Sequence, residues 1–300
     1  MICSGIYTAL ITPFNHTGAL DIAGLRQLIH MQKGADIDGL LALGTTGEAS
    51  TLSPHEKELV IHTLREEWTR PLMIGCGSYS TTQTIENISQ AASYGANSAL
   101  VITPFYNKPT QEGLFRHFEA ISRATTLPVV IYNNPGRTGV HLETSTLQRI
   151  CDLPGIVGIK ETSGSTVQVC DILYTIKQNR PDFALLAGDD NLAFATMALG
   201  GDGVISGASN LIPQVMKDLI HAFRQEGLIA AQKLNLALTP LFKALLVETN
   251  PIPLKALLTL AGLPAGEPRL PLTPLSPKWN PLLEYVLKTI PICSTKFRTG

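Results

Sequence analysis

Short apolar runs recur along the first two-thirds of the chain, each bounded by glycine or asparagine and followed by an amphipathic stretch. The pattern predicts strands near Gly5–Thr12, Gly39–Gly44, Leu72–Gly77, Ser98–Thr103, Pro128–Asn133, Ile156–Lys160, Ala184–Gly188 and Gly203–Ser206. Successive starts lie 19 to 34 residues apart, room for a helix and two loops, with only a short helix in the last interval. Near-continuous apolar strands alternating with amphipathic segments mark a parallel sheet covered on both faces. Eight such steps in roughly 225 residues favour an α/β fold of the (β/α)8 TIM-barrel type over a doubly wound sheet.

One helix start is specified in detail. Ser53 is placed to cap, Pro54 to occupy the first helical position and Glu56 to reach back to the cap. Val60, Leu64 and Trp68 then share one face, with Trp68 read as core. Beyond Asn210 the strands stop, and Leu228–Val247 and Ile252–Leu260 have helical period. Ten of the 20 prolines follow residue 239, most of them in Pro264–Pro281, which predicts an extended strap there. The expected organisation is a catalytic barrel over residues 1–226 and a C-terminal helical extension over 227–300.

Charge narrows the function. With 23 Lys+Arg against 24 Asp+Glu, the 300-residue chain has neither the basic face of a nucleic-acid binder nor a polybasic membrane-binding character. No apolar run reaches the ~18 residues of a membrane span. The start Met1-Ile-Cys-Ser-Gly-Ile-Tyr7 lacks a basic leader, so a cytoplasmic location is expected. Cys3, Cys76, Cys151, Cys170 and Cys293 have no CxxC spacing and are expected to be reduced, buried or half-buried thiols. The histidines form neither HxH nor HExxH, and GxGxxG and phosphate-loop motifs are missing. Chemistry by protein side chains, with no cofactor and no metal, is the expectation. Charged residues make up 16%, against roughly 25% in a typical domain, which suggests a large core, subunit contacts or both.

In a βα barrel the chemistry sits at the C-terminal strand ends. Those ends carry Gly44-Thr45-Thr46-Gly47-Glu48, Thr103–Pro109 with Tyr106, Tyr132–Gly139 with Arg137, Lys160-Glu161-Thr162, Gly188-Asp189-Asp190 and Ile205-Ser206-Gly207. Lys160 ends an apolar strand, on the alternation face of Ile156 and Gly158. Apolar surroundings would desolvate its ammonium, as an imine-forming amine requires; alternatively it snorkels to water. Thr45 and Thr46, between glycines, offer backbone N–H groups to a carboxylate or simply turn a corner. Tyr106 and Tyr132, each taken alone, read as packing aromatics. Arg137, on a loop with Pro135, Gly136 and Gly139, suits bidentate carboxylate recognition or is an ordinary surface arginine.

Taken in order, seven motifs resemble the dihydrodipicolinate synthases of the pyruvate-dependent class I aldolase and lyase family. They are Gly44-Thr-Thr-Gly-Glu48, Tyr106-Asn-Lys-Pro-Thr-Gln-Glu-Gly113, Tyr132-Asn-x-Pro-x-Arg-Thr-Gly139, Gly158-Ile-Lys-Glu161, Gly188-Asp-Asp190, Gly203-Val-Ile-Ser206 and Asn250-Pro-Ile-Pro-x-Lys255. The resemblance implies a Schiff base between Lys160 and pyruvate. Tyr132 would move protons through a relay with Thr45 and with Tyr106 of a neighbouring subunit. The pyruvate carboxylate would rest on Thr45 and Thr46, Arg137 would hold the carboxylate of L-aspartate 4-semialdehyde, and Gly188 and Ile205 would line the site. The product would be 4-hydroxy-tetrahydrodipicolinate, on the way to diaminopimelate and lysine. A homo-oligomer, as a homotetramer, is implied with it.

One part of the family pattern departs. The places that form a feedback pocket in lysine-inhibited members hold Pro54, Lys57, Tyr79, Gln83 and Phe105 here, which implies weak or absent inhibition by lysine. The nearest rivals are sibling enzymes, N-acetylneuraminate lyase or a 2-keto-3-deoxy-sugar acid aldolase. A silent keto-acid-binding barrel would be expected to lose Lys160, Tyr132 or the threonines. A phosphate-binding isomerase would need a basic companion to the glycines after strands seven and eight.

Overall fold

A computed structural model describes residues 3–290. Its eight strands form a closed barrel in the order β1 to β8. Every expected strand is found, within the expected limits or a residue past them. By its contacts the chain divides into two compact units, one holding the residues up to Gly5 with Pro71–Ile205, the other Ile6–Arg70 with Ser206 onward.

The second of these contains most of β1 (Gly5–Ala9), α1 (Ile22–Gly34), β2 (Gly39–Ala42) and α2 (Pro54–Glu67). β1 and β2 pair in parallel, Tyr7 opposite Gly39 and Ala9 opposite Leu41. Leu10 and Ile11 continue the apolar run and are buried, but the strand stops at Ala9. The Ile11 N–H has left the ladder for the side chain of Asn210, at 3.0 Å. α2 starts as its sequence dictates: Ser53 and Glu56 form a reciprocal capping box with Pro54 in the first turn. Trp68 follows the helix as its C-cap and is buried, so it packs as core though it has left the helix.

The first unit contains β3 (Leu72–Gly75), α3 (Thr81–Ser93), β4 (Ser98–Ile102), α4 (Gln111–Ala124), β5 (Val129–Asn133), α5 (Pro135–Thr138) and α6 (Thr144–Cys151). β6 (Ile156–Glu161), α7 (Thr166–Ile172), β7 (Ala184–Ala187), α8 (Asp190–Leu199) and β8 (Gly203–Ser206) complete the strands, with Ser206 assigned to the other unit. Each of β3 to β7 pairs in parallel with its successor. Their residues are buried almost without exception, Ile74, Val101, Val130, Ile131, Ile159, Leu185 and Val204 among them. That is why these strands read as continuous rather than alternating apolar runs.

The helical tail comprises α9 (Pro213–His221), α10 (Leu228–Ala244), α11 (Ile252–Leu260) and α12 (Asn280–Thr289). The strap is shorter than expected. Residues 264–276 hold no regular element, but Pro277–Trp279 forms a 3-10 turn and α12 begins at Asn280. Pro277 and Pro281 each occupy a first turn, where a missing N–H is harmless, so the last prolines start structure rather than prevent it.

Cys3, Cys76 and Cys151 are buried free thiols, with burial pushing Cys76 up to about 12. Cys170 is a correction, because it is exposed. Cys293 and the tail beyond Pro291 lie outside the described residues. No described helix is long and apolar enough to cross a membrane.

Candidate active site

Lys160 and Tyr132 meet because β5 and β6 run side by side. In the parallel register Tyr132 lies opposite Lys160 and Asn133 opposite Glu161. The Lys160 Nζ sits 4.4 Å from the centre of the Tyr132 ring, and both residues are buried. The route to this arrangement differs from simple alternation. The register slips by one residue between Val129 and Val130, which pair with Ile156 and Gly158 and pass over Val157. A one-residue slip exchanges faces. The face shared by Gly158 and Lys160 is therefore set by Val130 and Tyr132 across the ladder, and Ile156 does not belong to it.

Glycine is required beside the lysine. A Cβ at Gly188 would come within 2.8 Å of Lys160 Cε and collide with the Thr162 hydroxyl. At Gly158 it would meet the Ala184 carbonyl oxygen at 2.6 Å. Gly188 thus leaves the lysine stem its volume, while Gly158 lets the neighbouring strand approach. Among the described residues Lys160 forms no ion pair. Its neighbour Glu161 faces elsewhere, accepting from Asn133 Nδ2 at 2.9 Å and from the Ser163 N–H at 2.6 Å.

The Tyr132 hydroxyl accepts from Asn134 Nδ2 at 2.8 Å. Asn134 also caps α5, its side-chain oxygen accepting from the Arg137 N–H at 3.2 Å. A filled acceptor position on the phenol turns its proton away from Asn134. Asn134 was not singled out from the sequence, although it stands inside a quoted motif. α5 carries Arg137 on an exposed turn, and its charge is felt at Asp189. Burial pushes the Asp189 carboxyl up to about 6, against the pull of Lys160, while Asp190 and Glu161 push in the same direction as burial. Asp189 precedes α8 without capping it. Ile205 is buried in β8.

Tyr106 is not brought to this cluster. It is 90% exposed, on a left-handed backbone of φ 72° that few non-glycine residues adopt. The turn is held on both sides: Phe105 stands edge-on to Tyr79 at 5.7 Å, and Asn107 Nδ2 donates to the Tyr79 carbonyl at 2.9 Å.

Thr45 and Thr46 belong to the other unit, on the turn after β2. Thr45 is half-buried and Thr46 is buried, its Oγ1 accepting from Asn250 Nδ2 at 3.0 Å. Glu48, with a left-handed φ of 51°, turns its carboxylate into a buried ion pair with Lys255 at 2.5 Å. Its second oxygen accepts from the Arg269 N–H at 2.9 Å. Lys255 also lies 4.1 Å from the centre of the Phe14 ring, and its burial lowers its pKa below the ordinary lysine value. Sequence reading quoted Asn250 and Lys255 in a motif but gave neither a role. The signal for Lys255 was a charged residue inside an otherwise apolar helix.

The model of the dihydrodipicolinate synthetase family matches residues 2–290. The chain belongs to that family. Within it, the 4-hydroxy-tetrahydrodipicolinate synthase of Protochlamydia amoebophila is 47% identical over 293 residues, covering 97% of this chain and 98% of that one. The crystal structure of the dihydrodipicolinate synthase from Thermotoga maritima matches at a TM-score of 0.93 with 43% identity, over 96% and 98% of the two chains. The chloride-inhibited dihydrodipicolinate synthase of Acinetobacter baumannii, solved complexed with pyruvate, matches at 0.92 with 38% identity, over 96% and 99%. The dihydrodipicolinate synthetase family is thus the one that the seven motifs resemble, and the expected synthase activity is the one for which these relatives are named.

Proposed function

We propose that the chain condenses pyruvate with L-aspartate 4-semialdehyde to 4-hydroxy-tetrahydrodipicolinate, through a Schiff base on Lys160. The observation that carries the reading is a buried lysine near the end of a barrel strand, facing a tyrosine and unpaired among the described residues, in a chain of this family. The Lys160 amine attacks the keto carbon and water leaves, giving an iminium. Loss of a methyl proton gives the enamine, whose carbon bonds to the aldehyde carbon. The substrate's own amino group then closes the ring and displaces Lys160. These stages move protons at oxygen, at nitrogen and at the methyl carbon, a task suited to a phenol beside the amine. Tyr132 takes that role in the proposal, with Thr45 and Tyr106 completing the relay.

The pyruvate carboxylate is assigned to Thr45 and Thr46, and the aldehyde's carboxylate to Arg137, whose fork matches it in shape. Gly188 and Ile205 line the pocket in this reading. The exposure of Tyr106 supports its completing the site of a second subunit, and hence a homo-oligomer, as a homotetramer. A cytoplasmic location and the division into a barrel over 1–226 and a helical extension over 227–300 are part of the same proposal. So is weak or absent lysine inhibition, given Pro54, Lys57, Tyr79, Gln83 and Phe105.

An aldehyde panel tests the reading. Incubation with pyruvate and L-aspartate 4-semialdehyde should yield the cyclic product, while sialic acid and 2-keto-3-deoxy-sugar acids should not be cleaved. Cleavage of a sugar acid without condensation of the semialdehyde would overturn it.

A further inference from the structure

The turn Gly44–Glu48 is held from outside by one short segment of the helical tail. Asn250 donates to the Thr46 hydroxyl at 3.0 Å, and five residues later Lys255 pairs with Glu48 at 2.5 Å. Both lysine and glutamate side chains are 1% exposed. The segment is itself fixed at both points: Ile252 N–H donates to the Thr249 carbonyl at 2.9 Å and Lys255 N–H to the Pro251 carbonyl at 2.9 Å. The turn adds bonds of its own, Gly47 N–H to the Gly44 carbonyl and Glu48 N–H to the Thr45 carbonyl.

A threonine hydroxyl has one proton to donate and two lone pairs to accept with. Asn250 fills one lone pair with an N–H, so the hydroxyl proton cannot point at Asn250 and is turned to the opposite side. We propose that Asn250 is a positioning residue, which sets the Thr46 hydroxyl as a hydrogen-bond donor to the carboxylate of the keto-acid substrate while the Glu48–Lys255 pair fixes the turn that carries it. The inference rests on the assignment of Thr46 to the pyruvate carboxylate and adds the reason why that hydroxyl donates rather than accepts. A carboxylate offers only acceptors, so a hydroxyl free to rotate would have to be oriented anew in each binding event.

Asparagine and aspartate have the same size and opposite hydrogen-bonding character, which supplies the test. Asn250→Asp would accept the Thr46 proton and withdraw it from the substrate, whereas Asn250→Ala would merely release the hydroxyl. The expected KM for pyruvate therefore rises about 10-fold in Asn250→Ala and about 100-fold in Asn250→Asp, with kcat within about threefold of the native chain. Thr46→Val should match Asn250→Asp, Thr46→Ser, which keeps the hydroxyl, should recover most of the KM lost in Thr46→Val, and Asn250→Asp combined with Thr46→Val should be no worse than Thr46→Val alone. The pair of variants at 46 leaves Asn250 intact, so the test survives if changes at 250 prevent folding. Asn250 as a mere spacer predicts the reverse order, Asn250→Asp mild and Asn250→Ala severe, and that order would overturn the proposal. So would additive effects in the double variant, or a Thr46→Val chain with native KM. Borohydride trapping of pyruvate by the native chain separates the two levels: no adduct on Lys160 rejects the functional reading, whereas an adduct with unshifted KM in the variants rejects only the role of Asn250.

Discussion

Two lysines of this chain are buried over an aromatic ring, yet their surroundings are opposite. Lys255, on α11, lies 4.1 Å from the Phe14 ring centre with a carboxylate at 2.5 Å, its side chain 1% exposed. Lys160 lies 4.4 Å from the Tyr132 ring centre with no ion-pair partner among the described residues, and Gly188 leaves room beside its stem. An ammonium locked to a carboxylate is a poor nucleophile, because deprotonating it leaves a buried negative charge alone. In the proposed reading Lys160, with no carboxylate locked to it, keeps its nitrogen for the keto carbon of a substrate. On the proposed reading, the difference means that burial alone does not single out an imine-forming lysine.

The strongest break in the comparison is Lys160→Ala. Condensation should fall by more than about 10^4-fold, the scale of losing a covalent nucleophile, with the unfolding midpoint in denaturant little changed. Lys255→Met should do the opposite, leaving Glu48 buried without its partner at a cost of about 3–5 kcal/mol in unfolding free energy. Pairing it with Glu48→Leu should restore most of that loss, because an apolar pair replaces a buried ion pair at little cost. A double variant as unstable as Lys255→Met would show that packing, not the charge pair, dominates there.

Gly188→Ala sharpens the nucleophile's side. The new methyl would press on Lys160 Cε and the Thr162 hydroxyl, so kcat should drop about 100-fold with the fold intact, the usual effect of a misplaced reacting group. Asp189→Asn has the smallest effect and a defined sign. Asp189 in the folded chain titrates near 6 rather than at its ordinary 3.8, so the folded state holds its proton longer than the unfolded chain does. Stability is therefore lost as pH rises from about 4 to about 6. Asp189→Asn should be about 1 kcal/mol more stable than the native chain at pH 7 and equal to it below pH 4, read from urea unfolding at both.

Much of this was legible in the sequence because barrel strands carry their own signature. The eight apolar runs located β1 to β8, and Ser53-Pro54-x-Glu56 located the start of α2. What escaped depended on contacts between distant segments. The slip at Val157 is a property of the β5–β6 ladder and leaves no mark in an alternation count. Leu10 and Ile11 look like strand, but after Leu10 the Ile11 N–H leaves the ladder for the side chain of Asn210, about 200 residues away in sequence. Asn250 and Lys255 gain meaning only when the tail folds back on the Gly44–Glu48 turn. The strap itself is pinned by Arg269, whose guanidinium donates to the Gly18 and Thr51 carbonyls and pairs with Glu56, holding the Glu56 carboxyl down at about 2. A run of prolines announces an extended segment but not which arginine fastens it.

The most direct test of the contrast between the two lysines is reduction with borohydride in the presence of pyruvate, followed by peptide mass mapping. The account predicts one adduct, on Lys160, absent from Lys160→Ala and unaffected in position by Lys255→Met. An adduct on Lys255 or any other lysine, or no adduct at saturating pyruvate, would contradict it.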